Sequence, residues 1–298
     1  MNNTIDPTRF DPEIVRQLGR IDLIANVIVE GVRHGLNKNR AHGFSTEFSD
    51  CKPYCLGDDP RLLDWRLYAR TDRLFIKRFE AETSLEVMLI LDASKSMSWR
   101  WKEEISKLEY AVNLLAALGG LHMKQQDQVG LLVHDAEKFH HLAPRCRRAQ
   151  LNAIFAILED VRPGSAETFP ALVSSLAQIK RHRGIVIACT DLEEEEHHLE
   201  EALHMLAGTE NEVILFHILD KAELDLPFDA ATHLQDSETQ AIIPVNLERF
   251  KTDYLANVER FRSHWREQCE NCKITYLPIH TGMSYVDTIH AMLDARFC

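Results

Sequence analysis

Asp92, Ser94 and Ser96 stand at alternate positions directly after the apolar run of residues 86–91. The run reads as a buried strand. A carboxylate at its end is costly to desolvate unless it is exposed, paired or bound to a cation. Two more oxygen-bearing residues fall at comparable points. Asp191 lies just past a second apolar run, residues 185–189, and Thr168 lies in the loop of residues 163–170 that enters a helix. In an open α/β sheet, ligands bind in the crevice beyond the carboxyl ends of the strands. Both aspartates should therefore face one edge, within reach of the loop carrying Thr168. Asp92, Ser94, Ser96, Thr168 and Asp191 together offer two carboxylates and three hydroxyls, with no His or Cys. Hard oxygen donors of this kind suit Mg²⁺, Mn²⁺ or Ca²⁺ and not zinc. Neutral hydroxyls do little to compensate the metal's charge, so an open coordination position would attract a carboxylate from outside. Plainer roles exist for the same residues: a capped turn for Asp92, Ser94 and Ser96, and helix N-caps for Thr168 and Asp191.

The elements that must hold these residues follow from the hydropathy pattern. Strands are expected at 86–91, 128–134, 185–189, 212–219, 241–245 and 273–278, with 138–142 as a hairpin partner of the second. Helices are expected at 103–119, ending at Gly119-Gly120, and at 148–160, 170–180, 195–207, 247–268 and 284–295. Strands separated by helices imply βαβ units. The fold expected is α/β, a doubly wound, mostly parallel sheet flanked by helices, over residues 83–298. Residues 1–82 form a smaller N-terminal part, a helix over 13–31 and then an irregular β region marked by Gly43, Pro53, Gly57 and Pro60.

Composition narrows the function. The chain has 298 residues, 45% hydrophobic, and a net charge of −12. It is long enough for a sizeable core, and its acidity argues against a general nucleic-acid binder. No stretch approaches the roughly 20 apolar residues of a membrane span, and the N-terminus lacks a signal-peptide pattern. A cytoplasmic protein is expected. Seven cysteines without such a signal read as reduced thiols, the pairs Cys51/Cys55 and Cys269/Cys272 included. The acidic run 193–196 beside His197 and His198 reads as a helix N-terminus favoured by the macrodipole. His134 and Asp135 read as strand-end and turn residues. No Gly-x-Ser-x-Gly elbow, Walker A loop or Gly-x-Gly-x-x-Gly is present, so the expectation is a non-enzymatic protein. The competing expectations are a divalent-metal phosphohydrolase or nuclease and a scaffold with a vestigial site. An aspartyl-phosphate phosphatase would want a second Asp where Ser94 stands.

The motif Asp92-x-Ser94-x-Ser96 after a strand, with Thr168 and Asp191 further on, resembles the metal-ion-dependent adhesion site of von Willebrand factor A domains. That resemblance implies a metal on these side chains and an acidic residue of a partner protein completing its sphere. A second resemblance lies upstream. Tyr54, Gly57-Asp58, Arg61, Asp64-Trp65 and Ala69-Arg70, leading into the Asp-x-Ser-x-Ser-Met strand, are similar to the signature of the DUF58 proteins. It implies a partner of a MoxR-type AAA+ ATPase, working in assembly or activation of other protein complexes. The sequence departs from the pattern at Lys52-Pro53, at Trp99 and Trp101, and in lacking preceding membrane helices. Asp58, Arg61, Asp64 and Arg70 suit mutual ion pairs locking the β region, or a docking surface in which Trp65 and Arg61 are anchors. Trp99 and Trp101 suit either packing under the metal loop or partner anchors.

Overall fold

The computed structural model describes residues 11–39, 51–55, 63, 65–77, 84–102, 104–164, 169–179, 183–227, 233–235, 242–244 and 247–297. Two compact units are present. The larger comprises Met1–His34 and Ser84–Cys298, the smaller Gly35–Thr83. The N-terminal helices are thus grouped with the α/β body, whereas the sequence pattern sets them with the β appendage.

The larger unit opens with α1 (Pro12–Arg16) and with α2 (Ile21–Asn39) as far as His34, where the sequence suggests one helix. Gly19, at φ 66°, breaks it, a left-handed position that glycine adopts without the clash of a Cβ. In the smaller unit β1 (Cys51–Pro53) pairs antiparallel with β2 (Phe75–Lys77), and α3 (Trp65–Thr71) lies between them in the chain. That helix was not expected from the sequence.

The body of the larger unit is one six-stranded sheet. Its strands are β3 (Glu86–Leu91), β4 (Gln128–His134), β5 (Phe139–Arg145), β6 (Gly184–Thr190), β7 (Glu212–Leu219) and β10 (Thr275–His280). They lie in the order β10-β7-β6-β3-β4-β5. All neighbours run parallel except β4 and β5, which form an antiparallel hairpin at one edge. The central strands β3 and β6 are buried along nearly their whole length, as parallel strands covered on both faces must be. Pro278 sits in β10, an edge strand that does not need its missing N–H. The doubly wound α/β fold expected from the sequence is the one observed.

The flanking helices are α4 (Lys107–Lys124), α5 (Arg148–Asp160), α6 (Phe169–Ile179), α7 (Glu196–Gly208), α9 (Leu247–Asn271) and α10 (Tyr285–Phe297). A short α8 (Lys221–Asp225) follows β7, and β8 (His233–Gln235) pairs with β9 (Ile242–Pro244). On one face α6, α7 and α9 close over the sheet, with Phe169, Leu172, Leu199, Leu203 and Trp265 in a single apolar cluster. On α4, buried residues occur on every side, Gly119 and Gly120 among them. This enclosure carries the helix past the glycine pair that the sequence suggests as its stop, because tertiary burial outweighs the roughly 1 kcal/mol cost of a helical glycine.

Asp220 caps α8, its Oδ1 accepting from Ala222 N–H at 2.7 Å, and Glu223 Oε2 accepts from Asp220 N–H at 2.7 Å to complete a capping box. Burial pushes the Asp220 carboxyl up to about 6, against the pull of the Ala222 N–H and helped by the Glu223 charge. A folded value above the unfolded one stabilises fully at low pH, and that contribution is lost as pH rises through the folded value. Asp220→Asn keeps the acceptor without the charge. It is expected to be more stable than wild type above pH 7 by about 1 kcal/mol, solvent screening removing part of the effect. The difference should vanish near pH 4, as urea unfolding at a series of pH values would show.

Candidate functional site

Four of the parallel strands end in an aspartate: Asp92 after β3, Asp135 after β4, Asp191 after β6 and Asp220 after β7. Two have local work. Asp220 caps α8. Asp135 closes the β4–β5 turn, its Oδ1 accepting from Glu137 and Lys138 N–H at 2.8 Å each and its Oδ2 lying 3.1 Å from His140 Nε2. Asp92 and Asp191, on the neighbouring central strands, are each 1% exposed.

Asp92 is held in place by its surroundings. Ser94 N–H donates to its Oδ1 at 2.9 Å, and the Thr190 hydroxyl donates to its Oδ2 at 2.7 Å. Thr190 Oγ1 in turn accepts from Leu192 N–H at 3.1 Å. Burial pushes the Asp92 carboxyl up to about 6, with the Asp191 charge adding to the rise and the Thr190 and Ser94 hydrogen bonds opposing it. Ser94 and Ser96 turn their hydroxyls toward one another, 2.9 Å apart. Ser96 opens a short 3₁₀ turn, Ser96–Ser98, which brings the second serine back over the strand end.

Thr168 lies outside the described residues, but both ends of its loop are fixed at this edge. Gly164 forms a parallel bridge with Ser94, donating its N–H to Ala93 O at 2.8 Å. Phe169 N–H donates to Glu194 Oε1 at 2.8 Å, three residues beyond Asp191. Gly164 also lies against the Asp135 turn. A Cβ there would stand 2.5 Å from Ala136 Cα and 2.7 Å from Ala136 N. Gly164→Ala must move backbone, at a cost of about 2 kcal/mol. A correspondingly lower urea midpoint, with unchanged m-value, is the expected result.

A residue that the sequence reading passed over completes the site. Lys107, the first residue of α4, is buried, and its Nζ lies 2.9 Å from Asp191 Oδ2, 3.0 Å from Glu193 Oε1 and 3.2 Å from Glu223 Oε1. Burial alone would lower its affinity for the proton, but the Asp191, Glu223 and Glu193 charges override it and hold the ammonium well above its ordinary range. A capping box fixes the start of α4. Ser106 Oγ accepts from Glu109 N–H at 3.1 Å and Glu109 Oε2 from Ser106 N–H at 3.0 Å. Glu193 is pushed up to about 7 by burial and by Asp191 and Glu223, against the pull of Lys107. Behind Asp191, burial drives His217 down to about 3, and its Nδ1 lies 2.6 Å from the Tyr276 hydroxyl.

The donor set fits a hard divalent cation. It is all oxygen, and two carboxylates are buried on neighbouring strand ends, with an ammonium at Asp191 and none among the hydrogen-bond donors to Asp92. Asp92, Ser94, Ser96 and Asp191 are the described residues that would hold the ion.

A family profile described as "Protein of unknown function DUF58" matches residues 50–264. The chain belongs to the DUF58 family. Its relatives include Uncharacterized protein Rv1480 of Mycobacterium tuberculosis (strain ATCC 25618 / H37Rv) and Uncharacterized protein Mb1516 of Mycobacterium bovis. Each is 22% identical over 290 residues, 96% of this chain and 90% of the relative. Solved structures with some likeness to this DUF58 chain include the conserved hypothetical protein BatB from Bacteroides thetaiotaomicron, 18% identical with a TM-score of 0.46, over 72% of this chain and 100% of that one. An aerotolerance-related membrane protein from Bacteroides fragilis NCTC 9343 is 16% identical with a TM-score of 0.47, over the same shares. The SpRpn10 VWA domain is 10% identical with a TM-score of 0.41, over 70% of this chain and 95% of that domain.

The DUF58 signature is only partly described. Asp58, Arg61 and Asp64 lie outside the described residues, so the ion pairs expected among them do too. Trp65 is 63% exposed, edge-on to Tyr68 at 6.3 Å, an exposed aromatic pair on the smaller unit. Trp99 and Trp101, just past the 3₁₀ turn, are half-buried. The Lys102 ammonium lies 5.1 Å from the Trp101 ring centre, and Trp99 O accepts from Lys107 N–H at 3.3 Å. Trp99 thus touches the start of α4 through its backbone.

The acidic run at the head of α7 has a partner that the sequence pattern did not suggest. Among the described residues, Glu196, Glu200 and His264 form the one group of three or more His, Cys, Asp or Glu side chains at metal-ligating distances. His264 Nε2 lies 3.1 Å from Glu196 Oε1, an ion-pair geometry that ties α9 to α7. His197 and His198 pair instead with Glu201 and Glu195 on the helix surface. Cys269 and Cys272 are buried free thiols at the end of α9. Among the described residues no helix is long and apolar enough to cross a membrane.

Proposed function

We propose that this DUF58 protein is a non-enzymatic protein-interaction module that binds its partner through a divalent cation, and that it works with a MoxR-type AAA+ ATPase in the assembly or activation of protein complexes. The observation that carries the metal reading is the pair Asp92 and Asp191. They are buried at adjacent strand ends, beside two serine hydroxyls, and the Asp92 carboxyl accepts its hydrogen bonds from the Ser94 N–H and the Thr190 hydroxyl, neither of them a cation. A buried carboxylate without a cation is unfavourable, and a metal at this edge relieves Asp92, with Asp191 as its second carboxylate. Mg²⁺ suits the site best, since it keeps several waters and takes only one or two protein carboxylates; Mn²⁺ and Ca²⁺ use the same donors. The carboxylate of a partner then replaces water on the ion. Loaded in this way, the site acts as a reversible clamp.

The ATPase partnership rests on the family resemblance alone. The non-enzymatic reading is supported by the site's own residues. Both Asp92 oxygens accept hydrogen bonds from within the loop and strand, which leaves it a poor nucleophile.

Binding to a purified MoxR-type ATPase from the same organism should need Mg²⁺, fail in EDTA, and fail in Asp92→Ala with the fold intact by circular dichroism. Equal binding in EDTA and in Asp92→Ala would remove the metal from the reading. Turnover of a phosphoester by wild type and not by Asp92→Ala would make the protein a hydrolase instead.

A further inference from the structure

The metal reading leaves one buried group unused. Lys107 Nζ sits on Asp191 Oδ2 at 2.9 Å, and the side chains of this pair are each 1% exposed. A cation that takes Asp191 meets an ammonium already there. The ammonium is not stranded by such a change, because Glu193 and Glu223 stand at 3.0 Å and 3.2 Å on its other sides. Glu223 is itself fixed by the capping box of α8, and Lys107 by that of α4. Two of the carboxylates, Asp191 and Glu193, come from the loop after β6, and the third, Glu223, from α8. They meet only at this nitrogen.

We infer that Lys107 is an internal counter-ion that competes with the metal for Asp191 and so sets the cation affinity of the site, a role that rests on the metal reading above. Two effects act together. The ammonium repels a divalent ion nearby, and low-dielectric surroundings strengthen that repulsion. It also neutralises Asp191, which reduces the negative charge available to the ion. Cation affinity in the absence of a partner is therefore low, and an incoming carboxylate supplies the missing charge. Lys107 is then a specificity-determining residue: it makes firm metal binding conditional on an acidic ligand.

The charges predict opposite effects for two substitutions, neither of them at a proposed metal ligand. Lys107→Met removes the competitor and is expected to raise Mn²⁺ affinity about tenfold or more. Glu223→Gln removes one of the alternative seats of the ammonium and biases it toward Asp191, while the Gln carbonyl still serves the α8 capping box. It is expected to weaken Mn²⁺ binding about threefold or more. Affinities would be measured by titrating the full chain with Mn²⁺ alone, reading free Mn²⁺ by electron paramagnetic resonance. Wild type that binds Mn²⁺, with both variants within about twofold of it, would overturn the counter-ion role and leave the metal reading standing. Shifts of the same sign in both variants would also overturn it. Should Lys107→Met fail to fold, the Glu223→Gln result decides alone. No Mn²⁺ binding by wild type or either variant would remove the metal reading and this role with it.

Discussion

Lys107→Met is expected to destabilise the metal-free protein by about 3–5 kcal/mol. Methionine is close to lysine in length and fills the same buried channel, so little packing is lost. What is lost is the charge. Breaking a buried ion pair from one side is costly because the other charge stays behind without compensation. The three carboxylates do not contribute equally. Glu193 keeps 44% of its side chain exposed although its carboxyl meets the buried ammonium, and Glu223 is 16% exposed, whereas Asp191 is 1% exposed. Most of the loss therefore falls on Asp191, already facing the Asp92 charge on the next strand. Urea unfolding in EDTA would measure the effect, and a loss below about 1 kcal/mol would place the pair among surface-like ion pairs of little consequence. Divalent metal should return part of the stability, because it supplies the positive charge that the substitution removed.

Legibility in the sequence followed burial and range. Strands β3 and β4 could be bounded to the residue, since a fully buried parallel strand is a continuous apolar run with polar ends. The same logic located Asp92 and Asp191, for the end of such a run is the edge where ligands bind. α4 was less legible. The apolar pattern suggests a start at 103 rather than Lys107, although Ser106-x-x-Glu109 is a capping-box signal that marks the true start. Gly119-Gly120 suggests an end that the helix does not take, because the surrounding core keeps the glycines helical. α8 has five residues, too few for any periodicity, yet Asp220-x-x-Glu223 carries the same signal.

Lys107 could not be read at all. A lysine at the head of a helix is exposed in most proteins, and its partners lie 84, 86 and 116 positions away. Only the meeting of the β6 and β7 loops over α4 makes it a buried cation. The contact between His264 and Glu196 depends in the same way on α9 packing beside α7. The sequence could supply the acidic half of that pair and not the imidazole.

Asp92→Asn should exchange the rank order of stability with wild type when metal is added. In EDTA at pH 7.5 wild type carries Asp92 ionised in a buried site, where burial and the Asp191 charge place its carboxyl at about 6. Relative to an unfolded value near 3.9, the stabilising contribution is complete below about pH 4 and lost as pH rises through about 6. Asn removes the charge and keeps the geometry. Its Oδ1 accepts from Ser94 N–H as before, and its amide donates to Thr190 Oγ1, whose own hydroxyl proton loses the carboxylate as acceptor, a cost that offsets part of the gain. The variant is therefore expected to be more stable than wild type in EDTA at pH 7.5, by about 2 kcal/mol. That advantage should fade toward pH 4. With Mg²⁺ at about 100 times its dissociation constant, wild type gains about 2.7 kcal/mol and the variant, lacking the charged ligand, gains little. Wild type then becomes the more stable protein. Thermal melts of both proteins in EDTA and in Mg²⁺ would show the crossing. An equal metal response in the two would mean that Asp92 is not a ligand. Equal stability in EDTA would mean that its burial is not costly, and the case for a cation at this edge would lose its physical ground.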